Sequence, residues 1–247
     1  ANTMLKKMAE HGNGIYQKAD DEDKLAKALD LIFRSISDSA GNFAAPVVAV
    51  NAFNSLEHRD ELYYSVFKPS ERPGWSGNIK RYHMNSSGQI LDVNGDPAID
   101  SSTGFFKDTA KSYWTIGDPD GSKVTSGGIA KHLPAGRKVI TKLSGTGDIT
   151  DLVNESNIST SMLSGLLPST MTLTSADRTE ILQWAQGLDP TATDPLTTAR
   201  GSMADPLHGN PILVTYKEGD TLTDVLFSGN NAGYLQAINP DENTPGE

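Results

Sequence analysis

Between Asn54 and Thr141 the chain alternates short aromatic runs with turn-forming residues, and this rhythm restricts the possible folds more than any other feature. Leu62-Tyr63-Tyr64-Ser65-Val66-Phe67 gives way to Trp75-Ser76-Gly77-Asn78-Ile79-Lys80-Arg81-Tyr82, then to the turn residues from Asp92 to Asp96. Thr103-Gly104-Phe105-Phe106, Ser112-Tyr113-Trp114 and Asp120-Gly121 follow. Aromatic and β-branched residues suit a pleated surface, while Gly, Pro, Asn and Asp close turns. The segment therefore predicts an antiparallel all-β module. Within it residues 75–82 read as a strand, with Trp75, Gly77, Ile79 and Arg81 on one side and Asn78, Lys80 and Tyr82 on the other. Ile79 is expected in the core and Lys80 on a wetter face. The aromatics Trp75, Tyr82, Tyr113 and Trp114 read as core.

The flanks differ from this centre. Met4, Leu5, Met8 and Ala9 fit a helix closing at Gly12 and Gly14, Ile15-Tyr16 a short strand, and Asp20 to Asp23 the acidic start of a second helix. Leu25, Ala28, Leu29, Ile32, Phe33 and Ile36 form an apolar stripe at helical spacing over residues 21–36. Residues 1–38 thus read as an α-β-α segment whose helices pack about the strand near Ile15. Residues 145–174 are rich in Ser, Thr, Gly and Asn and read as a loop insertion with one helical turn near Met162, Leu163, Leu166 and Leu167. A helix is expected over 175–187, and Pro190 and Pro195 oppose helix beyond it. Val225 to Ala237 reads as strand, Gly-Asn-Asn-Ala-Gly turn and strand, a hairpin.

Composition removes several function classes. The net charge of −10, with scattered cations, argues against phosphate-backbone binding and against adsorption to anionic lipid. No apolar run approaches the roughly 18 to 20 residues needed to span a bilayer. With no cysteine there is no disulfide framework, thiolate metal site or cysteine nucleophile. The 36% hydrophobic fraction is raised toward a globular value once the 23 glycines are counted, which marks a loop-rich globular chain.

The strongest metal candidate is Asp92, Asn94, Asp96 and Asp100, which place oxygens at relative positions 1, 3, 5 and 9 of a calcium loop. Pro97 and Thr103 stand where such a loop carries its turn glycine and bidentate carboxylate, so an Asn94-Gly95 turn joining strands at Ile90-Leu91 and Ala98-Ile99 explains the same letters better. Asp118-Pro119-Asp120-Gly121 is a second oxygen-rich turn. His11, His58, His83, His132 and His208 occur without a Gly-x-Ser-x-Gly elbow or a His-Glu-x-x-His pair. No catalytic and no cofactor-binding residue is assigned. Neither Gly12-Asn13-Gly14 nor Gly145-Thr146-Gly147 has the strand, glycine loop, helix order that cradles phosphate.

An ordered set of short motifs adds to this reading. Tyr64 to Phe67, Trp75-Ser76-Gly77-Asn78-Ile79-Lys80, Ala98-Ile99-Asp100, Asp120-Gly121-Ser122-Lys123-Val124 with Gly127-Gly128, Arg137 to Thr141, and Asp205-Pro206-Leu207-His208-Gly209-Asn210-Pro211 occur in that succession. Together they resemble PilY/PilC-type proteins, the type IV pilus tip-associated adhesins and assembly factors. The similar region lies between their von Willebrand A-like domain and their C-terminal β-propeller.

The resemblance implies a mainly β fold with an α/β N-terminal remnant, in which an antiparallel module leads into the first propeller blade. It implies residues 1–38 as the end of the A-like domain, 39–204 as a linking module and 205–247 as the start of the propeller, with both ends of the chain cut through folded elements. His208 is expected to fix the loop from Asp205 to Pro211. It further implies a secreted, cell-surface role in pilus assembly and adhesion without catalysis, with minor pilins and host or surface receptors as partners. Calcium sites belong to parts of such proteins outside this chain. The alternative is a secreted carbohydrate-binding or calcium-stabilised β module unrelated to pili. A quinoprotein-propeller enzyme, which needs further blades and cofactor ligands, ranks below both.

Overall fold

A computed structural model describes residues 2–11, 16, 24, 43–50, 58–70, 74–168, 170–241 and 245–246. The chain divides into two compact units, Ala1–Phe43 and Ala44–Glu247. In the first, helix α1 runs over Asn2–His11, enclosing the helix expected at residues 4–10. The strand expected near Ile15 and the helix expected over 21–36 lie outside the described residues, Tyr16 and Lys24 excepted.

The second unit is mainly antiparallel β. Strands β1 (Phe43–Val50), β2 (His58–Lys68), β3 (Ser76–Met84) and β4 (Ile90–Leu91) follow one another across a sheet, and β7 (Met203–Ala204) joins it alongside β3. The long β2–β3 pairing sets Tyr63 opposite Arg81 and Ser65 opposite Ile79. On its other edge β3 pairs with β7 at Ser76 and Gly77 and with β4 at His83 and Met84. Among the described residues the middle of β3 has no strand partner on that side, and loop segments fill the gap. The amide of Tyr113 donates to Arg81 O at 3.0 Å.

A smaller sheet follows, in the order β10 (Leu235–Ile238), β9 (Thr221–Gly229), β8 (Ile212–Glu218). The hairpin read from Val225 to Ala237 is its β9–β10 pair, with Leu235 opposite Gly229 and the Asn230 amide donating to Tyr234 O at 3.0 Å. Within residues 145–174 the chain forms β6 (Asp151–Leu152), which pairs with β5 (Ile140–Thr141), and a short helix α2 (Thr160–Ser164). Helix α3 spans Ser175–Ala185. It opens on a capping box in which Thr174 Oγ1 accepts from the Asp177 amide and Asp177 accepts from the Thr174 amide.

Two clusters cover opposite faces of the main sheet. On one, Tyr63 and Ile79 pack with Trp114, Ile129, Leu133 and Met203 and with Leu213, Leu226 and Ile238 of the small sheet. On the other, Leu62, Tyr64 and Tyr82 pack with Ala98 and Ala110, with Phe106 against them. Residues 205–247 thus share their core with the module before them and fall in the same compact unit. The side-chain alternation along β3 is the expected one, but the face carrying Asn78, Lys80 and Tyr82 is buried. Lys80, expected on a wetter face, is 1% exposed. A second layer, built from residues 98–130, covers the face that alternation alone assigns to water.

Candidate functional site

Burying Asn78 and Lys80 obliges the fold to supply every hydrogen bond that water would have given them. The loop from Ala110 to Ala130 does this. Lys80 Nζ lies 2.9 Å from Asp120 Oδ2, and it also donates to Asp120 O at 3.1 Å and Gly121 O at 2.7 Å. These acceptors match the three protons of an ammonium. Burial pushes the Lys80 pKa down, and the Asp120 carboxylate facing it works in the opposite direction.

Asp120, 0% exposed, is held from behind by Ser112. The Ser112 amide donates to Oδ1 at 2.8 Å and its hydroxyl to Oδ2 at 2.9 Å. Ser112 Oγ meets Thr115 Oγ1 at 2.8 Å, and Thr115 Oγ1 accepts from the Gly128 amide at 3.1 Å. Asn78 closes the network. Its Nδ2 donates to Val124 O and Gly127 O, both at 2.9 Å, and its Oδ1 accepts from the amides of Ile79 and Ala130 at 2.9 and 3.0 Å.

Gly128 explains why the loop fits so closely. Its φ is +62°, and a Cβ there would stand 2.6 Å from Asn78 Oδ1 and 2.8 Å from Ile79 O. Only glycine combines that backbone angle with that approach.

The motif residues Asn78, Lys80, Asp120, Gly127 and Gly128 are therefore one buried assembly. In the oxygen-rich turn at Asp118 to Gly121, the Asp120 carboxylate and the carbonyls of Asp120 and Gly121 face the Lys80 ammonium.

The other sequence candidates fall elsewhere. Asp92, 3% exposed, accepts at Oδ1 from the amides of Asn94 at 2.9 Å and Asp96 at 3.1 Å, and at Oδ2 from the Lys111 amide at 3.2 Å. Gly95 takes φ +81° and donates to Asp92 O at 3.0 Å, and Leu91 bridges Pro97. Asp92 thus organises the Asn94-Gly95 turn. Asp96 and Asn94 are exposed, and Asp100 Oδ1 accepts from Ser102, at 2.8 Å from the amide and 2.6 Å from the hydroxyl. Among the described residues no three His, Asp or Glu side chains gather to hold a metal.

His208 Nδ1 lies 3.1 Å from Asn231 Oδ1, tying the loop from Asp205 to Pro211 to the β9–β10 turn. His132 Nε2 bonds Trp114 O, His11 Nδ1 lies 2.8 Å from Lys7 O, and the His83 ring stacks on Tyr113 at 4.2 Å. Tyr82 and Trp114 are core, whereas Trp75 and Tyr113 are half-buried.

Sequence reasoning missed two features. One is the ion pair itself, for which the only signal is a Lys inside a strand of otherwise core residues. The other is Arg81, which donates to Glu61 at 2.8 Å and to Pro240 O at 3.1 Å while Tyr63 OH donates to the same carboxylate at 2.8 Å. Arg81 links β2 to the segment just beyond β10.

Burial, reinforced by Glu61 beside Tyr63 and by Asp120 and Asp92 near Tyr82, raises both phenol pKa values far above the ordinary range. Tyr64 and Tyr234 are raised by burial as well. A raised folded-state value gives stability that is complete below the unfolded pKa of about 10 and is lost as pH climbs beyond it. Lys80, shifted downward by burial, moves the other way. Urea unfolding should thus show a clear fall in stability between about pH 9 and about pH 11, with tyrosinate absorbance from the buried rings appearing only on unfolding. Full ionisation of all tyrosines in the folded protein would contradict the burial.

No family model, curated protein or solved structure matches this chain. Among the described residues no helix is long and apolar enough to cross a membrane.

Proposed function

We propose that this chain is a non-catalytic connecting module of a type IV pilus-associated protein of the PilY kind. In this reading it joins an A-like domain to a β-propeller whose first blade begins in the β8–β10 sheet. The protein works at the cell surface with minor pilins and surface receptors as partners. The observation that carries the reading is the use of the motif residues. Those that support the resemblance, from Trp75 to Lys80, at Asp120, at Gly127-Gly128 and from Asp205 to His208, are the residues that lock loops and the small sheet onto β3. A connector needs such rigidity, because a module that flexed between two domains would not transmit force or orientation.

Deleting the gene in its host tests this. The expected result is loss of surface pili and of pilus-dependent attachment, restored by the intact gene. Wild-type piliation and attachment in the deletion strain would overturn the proposal.

A further inference from the structure

The Lys80–Asp120 pair holds an amine and a carboxyl group together away from water. The side chains are 1% and 0% exposed, with Nζ 2.9 Å from Oδ2. In water neither group is reactive toward the other, because the amine is protonated and the carboxyl ionised. Burial works against both charges. It pushes the Lys80 pKa down and so favours the neutral amine, which is the nucleophilic form. Moving one proton across the Nζ–Oδ2 contact turns the pair into an amine and a carboxylic acid, and it removes two charges whose desolvation is costly.

The surrounding hydrogen bonds suit the product of such an encounter. Asp120 Oδ1 accepts from the Ser112 amide at 2.8 Å, so this oxygen can remain as a carbonyl, with a donor in place for the negative charge that develops on it during attack. Oδ2 faces Nζ and also accepts from the Ser112 hydroxyl at 2.9 Å, so it is the oxygen placed to take up protons and leave. Gly121 O, 2.7 Å from Nζ, is placed to accept from an amide N–H at the same nitrogen. Cγ is bonded to the oxygen that Nζ already touches. Attack therefore requires only a shift of the amine onto the carbonyl face, to the roughly 3 to 3.5 Å of a near-attack geometry.

We propose that Lys80 and Asp120 condense to an isopeptide bond within the folded protein. Nζ attacks Cγ, the C–N bond forms, the Cγ–Oδ2 bond breaks, and Oδ2 leaves as water. Of the three protons of the ammonium, two depart with Oδ2 and one stays on the amide nitrogen. Two opposite charges vanish, no group is oxidised or reduced, and no co-reactant is consumed. The bond closes once per chain and fixes the loop from Ala110 to Ala130 covalently to β3. It does not depend on the pilus reading.

Intact-mass measurement of the whole chain under denaturing conditions tests this, after the folded protein has stood for several days at neutral pH. The wild-type chain should be lighter than its sequence by one water. A tryptic digest should contain a branched peptide in which Lys80 is joined to Asp120 and the chain is uncut after Lys80. Lys80→Met and Asp120→Ala should each show the full mass of their own sequences. Lys80→Met also separates this bond from a cyclic imide at Asp120-Gly121, which removes one water as well but needs no lysine. The proposal is overturned if the wild-type chain keeps its full mass, if Lys80→Met still loses water, or if the digest yields only unbranched peptides. The wild-type mass and digest decide the matter even where a variant fails to fold.

Discussion

Asp120→Ala should be among the most damaging single changes in this protein, costing about 3 to 5 kcal/mol of folding stability. The substitution leaves the Lys80 ammonium almost fully buried with only two carbonyl acceptors, and it strands the Ser112 amide and hydroxyl that now donate to the carboxylate. The cost arises from the abandoned partner more than from the lost attraction. Pairing Asp120→Ala with Lys80→Met should therefore recover part of the loss, since an apolar side chain of similar length removes the orphaned charge. Denaturant melts of the wild type, the two single variants and the double variant give the comparison. A single-variant cost under about 1 kcal/mol, the range of exposed ion pairs, would mean that water reaches Lys80.

Gly77→Ala is the second change with a large expected effect. A Cβ on Gly77 would point into Ala204 O and lie 2.6 Å from both Asp205 Cα and Pro206 Cδ. The obstacles are backbone and a proline ring, which cannot rotate aside. The strain should reach or exceed the roughly 3 kcal/mol upper end for inserting one methyl into a packed site. It should also act locally, because β7 pairs with β3 at Ser76 and Gly77 and would be pushed off that edge. Hydrogen exchange should show the Asp205 amide, which donates to Trp75 O at 3.1 Å, losing protection before the amides of the β2–β3 pairing do. An unchanged melting temperature would show that the 203–206 segment can move away without cost.

Local chemistry made much of the fold readable in the sequence. The Asn94-Gly95 pair demanded a turn, because few other residues accept the φ of +81° found at Gly95, and Asp92 in front of it supplied the acceptor that such turns use. The β9–β10 hairpin and the capped helix after Thr174 were legible for similar reasons. Lys80 was not. Period-two alternation says which side chains share a face, and it says nothing about whether a distant loop covers that face. The partner of Lys80 stands 40 residues further on, and no spacing rule connects them. The same limit hid β7, two residues at the end of a proline-containing stretch that become a strand only because β3 offers a free edge.

The link from Arg81 to Pro240 bears on how the protein comes into being. It joins residues 159 apart in sequence, and the core that Ile79 shares with Leu213, Leu226 and Ile238 spans a similar distance. Contacts that distant form late, because the entropy of closing the intervening chain is lost before any burial compensates for it. During synthesis the aromatic strands β2 and β3 therefore emerge long before the segments that cover them, and they remain apolar, edge-exposed and open to mispairing until residues near 240 have been made. Over that interval the uncovered strands are the part of the chain most exposed to aggregation, and folding becomes committed only once the small C-terminal sheet is in place.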